Sequence, residues 1–188
     1  MSLRVAHRVP RTTAEGPGVR YALWVQGCSI RCAGCCNPGM FPVEGGETFE
    51  VAALLAEVVA ADVEGLTLLG GEPFEQAEAC AELARAVRAT GRSVMVFTGY
   101  RREDLEQRPS GRALLAATDV LVDGPYDRAQ PERTRRWIGS ANQRVHQLTD
   151  RHAHDPAWQL GDEVVITLRR GLLEVHGWPG APLLEGRR

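Results

Sequence analysis

The sequence predicts an α/β domain in which helices pack outside a parallel sheet and a β-hairpin closes the chain. Three observations carry this. Short apolar runs recur at 19–26, 66–69, 94–97 and 120–122, and each stops at a turn residue or a cysteine. Stretches with helical period lie between the later runs, the alternation that produces parallel strands with crossover helices. Two further β-rich runs, 163–168 and 172–176, flank Arg169-Arg170-Gly171 as the arms of a hairpin would.

Taken in order, VRYALWVQ (19–26) is β-rich and runs straight into a group of cysteines. Thr48 stands where it would cap a helix whose Val51, Leu54, Leu55, Val58 and Val59 share one face. The strand at 66–69 ends in Gly70-Gly71. Residues 75–90 read as a helix with Cys80, Leu83, Ala84 and Val87 on its apolar stripe, stopped by Gly91. VMVF (94–97) is a buried strand, 112–117 is helical, and VLV (120–122) is a strand ending at Asp123. Residues 124–142 are polar, rich in Pro and Arg and without period, which predicts a long functional loop. RVHQL (144–148) is a further strand candidate.

Composition sets bounds on function. With 188 residues, 44% of them apolar, and a formal net charge of −2, the chain is expected to form one domain over 1–188. It has no apolar run of membrane-spanning length, and residues 1–13 are mixed polar and basic, unlike a signal peptide. A cytoplasmic protein without membrane partners is the expectation. The near-neutral balance argues against a broad nucleic-acid-binding surface. All 22 basic residues are arginine, which excludes Schiff-base chemistry on a lysine. Of the five cysteines, four (Cys28, Cys32, Cys35, Cys36) crowd together, which suits metal binding in a reducing compartment better than a disulfide framework.

Cys28, Cys32 and Cys35 form a C-x3-C-x2-C pattern. Three thiolates on one tight loop can ligate three irons of a [4Fe–4S] cube and leave the fourth iron open to a small chelating molecule. Other readings exist. Three cysteines and a remote histidine would make a zinc site, although such sites usually carry paired C-x2-C units. Cys36 would complete a ferredoxin-like set of four, but as the neighbour of Cys35 it is expected to point another way. A redox C-x2-C pair would leave Cys28 without a role. Further on, Gly70-Gly71-Glu72-Pro73 is by itself a turn and a helix start.

The cysteine spacing followed 35 residues later by Gly70-Gly71-Glu72-Pro73 resembles the radical S-adenosylmethionine (SAM) superfamily. The rest of the chain resembles one branch of it, the activating enzymes of glycyl-radical proteins, closest to that of anaerobic ribonucleotide reductase. Glu15-Gly16-Pro17-Gly18-Val19-Arg20 is similar to the (D/E)GPG(V/I)R segment of that group, and Thr98-Gly99-Tyr100 to its TGY motif. Residues 119–126 (DVLVDGPY) are similar to its DVLVDG(P/R)(F/Y) strand, and Arg136–Arg144 to its RWRGSSNQR block; Gly177-Trp178-Pro179 echoes a G-F-P ending. One departure is Cys36, which replaces the aromatic residue that commonly follows the third cysteine; packing is its favoured role. Cys80, on its helical stripe, reads as core.

The resemblance implies a partial (βα)6 barrel of parallel strands with the C-terminal β-hairpin. It implies Cys28, Cys32 and Cys35 as ligands of a [4Fe–4S] cluster with one open iron. Gly70, Gly71, Glu72 and Pro73 would bind SAM through its amino group, and Thr98 and Asp123 would lie near it. Ser140 and Asn142, with Gln143, would hydrogen-bond its ribose or adenine, and Arg136 would offset a carboxylate. As turn formers, caps or solvated surface, the same residues have ordinary structural uses. The implied reaction is reductive cleavage of SAM to a 5′-deoxyadenosyl radical that takes hydrogen from a glycine of a partner glycyl-radical enzyme. An external donor such as flavodoxin or ferredoxin would supply the electron. Two alternatives remain at this point: the same chemistry on a peptide or small molecule, and a non-catalytic iron–sulfur or zinc-binding module.

Overall fold

The computed structural model describes residues 1–161, 163–169 and 172–177. Four strands run parallel at its centre: β2 (Arg20–Val25), β4 (Gly65–Gly70), β5 (Ser93–Phe97) and β6 (Val120–Asp123). These are the four apolar runs of the sequence, within a residue or two at each end. Their side chains are almost all buried, as strands covered on both faces require.

The edges differ from expectation. β1 (Ser2–Thr12) pairs antiparallel with β2, β3 (Glu47–Glu50) antiparallel with β1, and β7 (Arg144–Gln147) antiparallel with β6. The sheet order is β3-β1-β2-β4-β5-β6-β7. A (βα)6 barrel with six parallel strands is therefore corrected to a seven-stranded mixed sheet with four parallel strands. The reason lies in the connections: β2, β4, β5 and β6 follow one another through helical crossovers, whereas residues 13–19 and 124–143, which join β1 to β2 and β6 to β7, contain no helix to carry a parallel return.

Thr48 lies inside β3, and Glu50 occupies the N-cap of α1 (Val51–Ala60). That helix buries Val51, Leu54 and Val58 of the predicted stripe, while Val59 faces solvent. A single 3₁₀ turn, Pro73–Gln76, leads into α2 (Ala77–Ala89), which buries Cys80, Leu83, Ala84 and Val87 as expected. α3 (Arg102–Glu106) and α4 (Pro109–Ala116) complete the helical layer. Among the described residues no helix is long and apolar enough to cross a membrane.

At the N-terminal ends of the parallel strands sits Arg20, fully buried. Its guanidinium donates to Leu66 O (2.6 Å), Thr67 Oγ1 (3.1 Å) and Ser93 Oγ (2.5 Å), tying β2 to β4 and β5. Burial lowers its pKa to about 10, so it stays cationic at neutral pH.

The predicted hairpin is present as β8 (Val164–Arg169) and β9 (Leu172–Gly177), paired antiparallel in a sheet of their own. Its turn at Arg170-Gly171 and the Trp178-Pro179 ending lie outside the described residues. The ribbon is fastened to the body at its root. Glu163 accepts from Thr13 Oγ1 (2.7 Å) and Arg136 Nη2 (2.7 Å), and Gly177 N donates to Glu15 Oε1 (2.9 Å). His176 is buried against His7 and Trp24, with ring centroids 5.5 and 6.0 Å away.

Candidate functional site

The C-terminal ends of β2, β4, β5 and β6 open onto a cavity of about 650 Å³, within the range of small-molecule sites. The cysteine loop follows β2 directly. It is fixed at its root by Gly27 N to Met40 O (2.9 Å) and Cys28 N to Phe41 O (3.0 Å), and Arg31 and Gly34 both adopt positive φ to bend it. Cys28, Cys32, Cys35 and Cys36 all line the cavity.

The thiols sit in different fields. Burial pushes Cys28 and Cys32 up. Cys35 is held down at about 6, first by a hydrogen bond from the Cys36 thiol and then by the Asn37 amide, 3.4 Å from its sulfur. Cys36 is pushed up as the donor of that pair. Cys36, expected to point another way, nonetheless lines the same cavity as Cys35. Among the described residues no three His, Cys, Asp or Glu side chains crowd round one point as a single ion would require. A cube asks less of its protein, because each thiolate meets its own iron.

Gly70 and Gly71 end β4 against the end of β2. A Cβ on Gly71 would stand 2.3 Å from Gly27 O and 2.8 Å from Val25 O, and one on Gly70 would stand 2.5 Å from Trp24 Cβ. This close approach lets Gly71 N donate to Val25 O and Glu72 N to Gly27 O, both at 2.8 Å. Glu72 is thereby held beside the cysteine loop.

Its carboxylate is buried and gripped from three sides. Oε1 accepts from Phe74 N (3.0 Å) and Thr98 Oγ1 (2.8 Å), and Oε2 accepts from Gly99 N (2.9 Å). Burial nevertheless pushes its pKa up to about 7, because these neutral donors only partly replace the lost hydration. Pro73 opens the 3₁₀ turn behind it and is buried outside the cavity wall. Next along, Glu75 Oε1 accepts from Ser29 N (2.8 Å), Ser29 Oγ (2.5 Å) and Tyr100 OH (3.2 Å). That carboxylate fastens the cysteine loop to the Thr98–Tyr100 segment. Trp24, Leu69, Phe97 and Trp137 supply much of the apolar lining.

Residues 14–146 match the family model described as a 4Fe-4S single cluster domain. The anaerobic ribonucleoside-triphosphate reductase-activating protein of Enterobacteria phage T4 is 33% identical over 148 residues, covering 75% of this chain and 92% of that protein. The protein of the same name from Vibrio cholerae is 32% identical over 151 residues, covering 74% and 95%. The chain belongs to this reductase-activating protein family. The solved structure of QueE from Escherichia coli shares a partial likeness, with TM-score 0.44 and 18% identity over 53% of each chain.

As a member of the reductase-activating family the chain is an enzyme with a 4Fe–4S domain, and the cavity gathers much of what the sequence singled out. Cys28, Cys32, Cys35, Gly70, Gly71, Glu72 and Thr98 share its wall. Five expected residues do not, Pro73 and four others. Asp123 is buried at the end of β6, where it accepts from Arg102 N (2.7 Å) and Arg144 Nε (2.9 Å), with His146 Nε2 3.0 Å away. Burial alone would raise its pKa, but those cationic and amide donors outweigh it and hold the carboxyl below its usual range. Ser140 Oγ accepts from Asp127 N (3.1 Å), and Asn142 Nδ2 donates to Pro125 O (2.8 Å), so both staple the 124–142 loop. Arg136 lies over the Trp137 ring at 4.6 Å and pairs with Glu163 at the hairpin root. The fold thus already engages these side chains away from the cavity, although Arg136 Nε is buried without a hydrogen-bond partner among the described residues.

Sequence reading missed other lining residues of this family member. Glu15, His7, Trp24, Tyr126, Trp137 and His176 all face the cavity. Glu15 and Trp137 lie inside blocks that the sequence flagged, so their position was the available signal. His7 and His176 come from opposite ends of the chain, and no local pattern links them.

Proposed function

We propose that Cys28, Cys32 and Cys35 hold a [4Fe–4S] cluster, that Gly70–Pro73 hold SAM beside it, and that the enzyme takes hydrogen from a glycine of a partner anaerobic ribonucleotide reductase. The observation that carries this reading is the meeting of the cysteine loop and the Glu72 carboxylate on one cavity at the C-terminal ends of parallel strands. Held by these three cysteines and reduced by an external donor, such a cluster would supply the electron for reductive cleavage of SAM to methionine and a 5′-deoxyadenosyl radical.

This chain's own residues do the rest. Glu72 offers an anion to the ammonium of SAM, and Thr98 Oγ1 and Gly99 N keep its two oxygens aimed. Gly70 and Gly71 admit the ligand close to the backbone. Trp24, Phe97 and Trp137 give the same cavity an apolar wall. The kinship with reductase-activating proteins supports a protein substrate.

The decisive experiment loads the protein with iron and sulfide, then adds dithionite and SAM with and without the anaerobic reductase of the same organism. Release of 5′-deoxyadenosine and a glycyl-radical EPR signal in the reductase are expected. Absence of both from cluster-loaded protein would falsify the reading.

The ionisation of Glu72 gives a second expected result. Only the carboxylate pairs with an ammonium, so SAM affinity falls as pH drops through about 7. Between pH 8 and pH 6 the loss is about tenfold, following the ionised fraction. Equilibrium dialysis of cluster-loaded protein measures it, and Glu72→Gln should bind more weakly with that slope removed. A wild-type affinity flat over this range would rule out the pairing.

A further inference from the structure

The β8–β9 ribbon presents an apolar face to solvent. The cross-strand pairs Ile166–Val175 and Leu168–Leu173 place four large side chains on one side of it, exposed by 61, 48, 72 and 64%. The ribbon does not need this face to stay in place, because His176, Gly177 and Glu163 fasten it to the body. Contiguous apolar surface of this kind on a soluble domain marks a binding face. The ribbon also lies past residue 146, where the family match ends.

We propose that this face is the docking surface for the enzyme's protein substrate, an inference that rests on the functional reading above. Two observations select that occupant. First, Val175 belongs both to the exposed face and to the rim of the cavity, so a polypeptide seated on the ribbon runs directly into the cavity mouth. Second, a cavity of about 650 Å³ takes a small molecule and a short loop but no folded protein. A protein substrate must be gripped outside and feed one loop inward. A second copy of this chain on the same face would instead stand across the mouth and obstruct that loop. The partner segment expected here is an apolar one flanking the reactive glycine.

The test uses the cluster-loaded protein and the anaerobic reductase of the same organism. Leu168→Lys with Leu173→Glu replaces one apolar pair by opposite charges directly across the ribbon, which preserves strand pairing. Ile166→Asn provides a milder second variant. Both should bind the reductase at least tenfold more weakly and yield at least tenfold fewer glycyl-radical spins at limiting reductase. Release of 5′-deoxyadenosine by dithionite and SAM alone should stay at the wild-type rate. Unchanged reductase affinity in both variants overturns the proposal. So does loss of 5′-deoxyadenosine release, which would make the face part of the cavity. A wild-type dimer that becomes monomeric in the variants while still binding reductase would reassign the face to self-association. Wild-type protein that releases 5′-deoxyadenosine yet leaves no radical in the reductase overturns the functional reading itself, and the occupant with it.

Discussion

Replacing Cys28, Cys32 or Cys35 by Ala is expected to leave reconstituted protein without its iron–sulfur absorbance and without 5′-deoxyadenosine release, whereas Cys36→Ala keeps both. The three positions are proposed as the ligands, and two thiolates cannot retain a cube that needs three. Cys36 is tied to the site in another way: it lines the same cavity, and its thiol is the main influence holding the Cys35 sulfur down. Donors to a ligand sulfur stabilise the more negative, reduced cluster and so raise its potential. Cys36→Ala should therefore shift the midpoint to a more negative value while EPR still shows the reduced cluster. Loss of iron from Cys36→Ala would make Cys36 a ligand and sink the three-cysteine assignment. An unmoved potential would remove its tuning role alone.

The second large effect is expected at Gly71. A methyl group there would lie 2.3 Å from Gly27 O and 2.8 Å from Val25 O, both backbone atoms that cannot swing aside. Those carbonyls accept the amides of Glu72 and Gly71, so the strain falls on the hydrogen bonds that hold Glu72 in the cavity. Overpacking of this kind costs about 3 kcal/mol. For a chain of this size that lowers the melting midpoint by roughly 6 to 12 °C. Gly71→Ala should also lose SAM binding, since Glu72 moves with its neighbour. Gly39→Ala is the control, because a Cβ there meets nothing within 4 Å. Equal midpoints for the two variants would show that the β2–β4 junction can relax, against the argument made from its geometry.

The sequence was most legible where one local pattern decides one element. The four parallel strands are unbroken apolar runs because they are covered on both faces, and α2 shows its stripe because only one face is buried. β1 was missed for the opposite reason. It is half-solvated, and Arg4, His7, Arg8 and Arg11 mask the inward Leu3 and Val5. The antiparallel direction of β7 depends on the path of the 124–142 loop, which carries no period.

The candidate site divides in the same way. Motifs held in one short segment, the cysteine loop and Gly70–Pro73, were readable and do meet at the cavity. Asp123, Ser140 and Asn142 sat in equally suggestive blocks, but their partners come from Arg144, Arg102, Asp127 and Pro125, which spacing alone does not reveal. That Cys35 and Cys36 both reach the cavity wall depends on the backbone of a loop bent through two positive-φ residues, beyond the reach of a rule about neighbouring side chains.

The buried Arg20 has a consequence for what a ligand does to the sheet. One side chain stitches three neighbouring parallel strands together at their foot, with donors aimed at backbone and hydroxyl oxygens alike. At the other end of the same strands the ties converge on Glu72 instead, through the amides of Gly71 and Glu72 and the bonds from Thr98 and Gly99. The two sets share no side chain. A ligand that draws on the Glu72 carboxylate therefore leaves the Arg20 lacing of the sheet untouched.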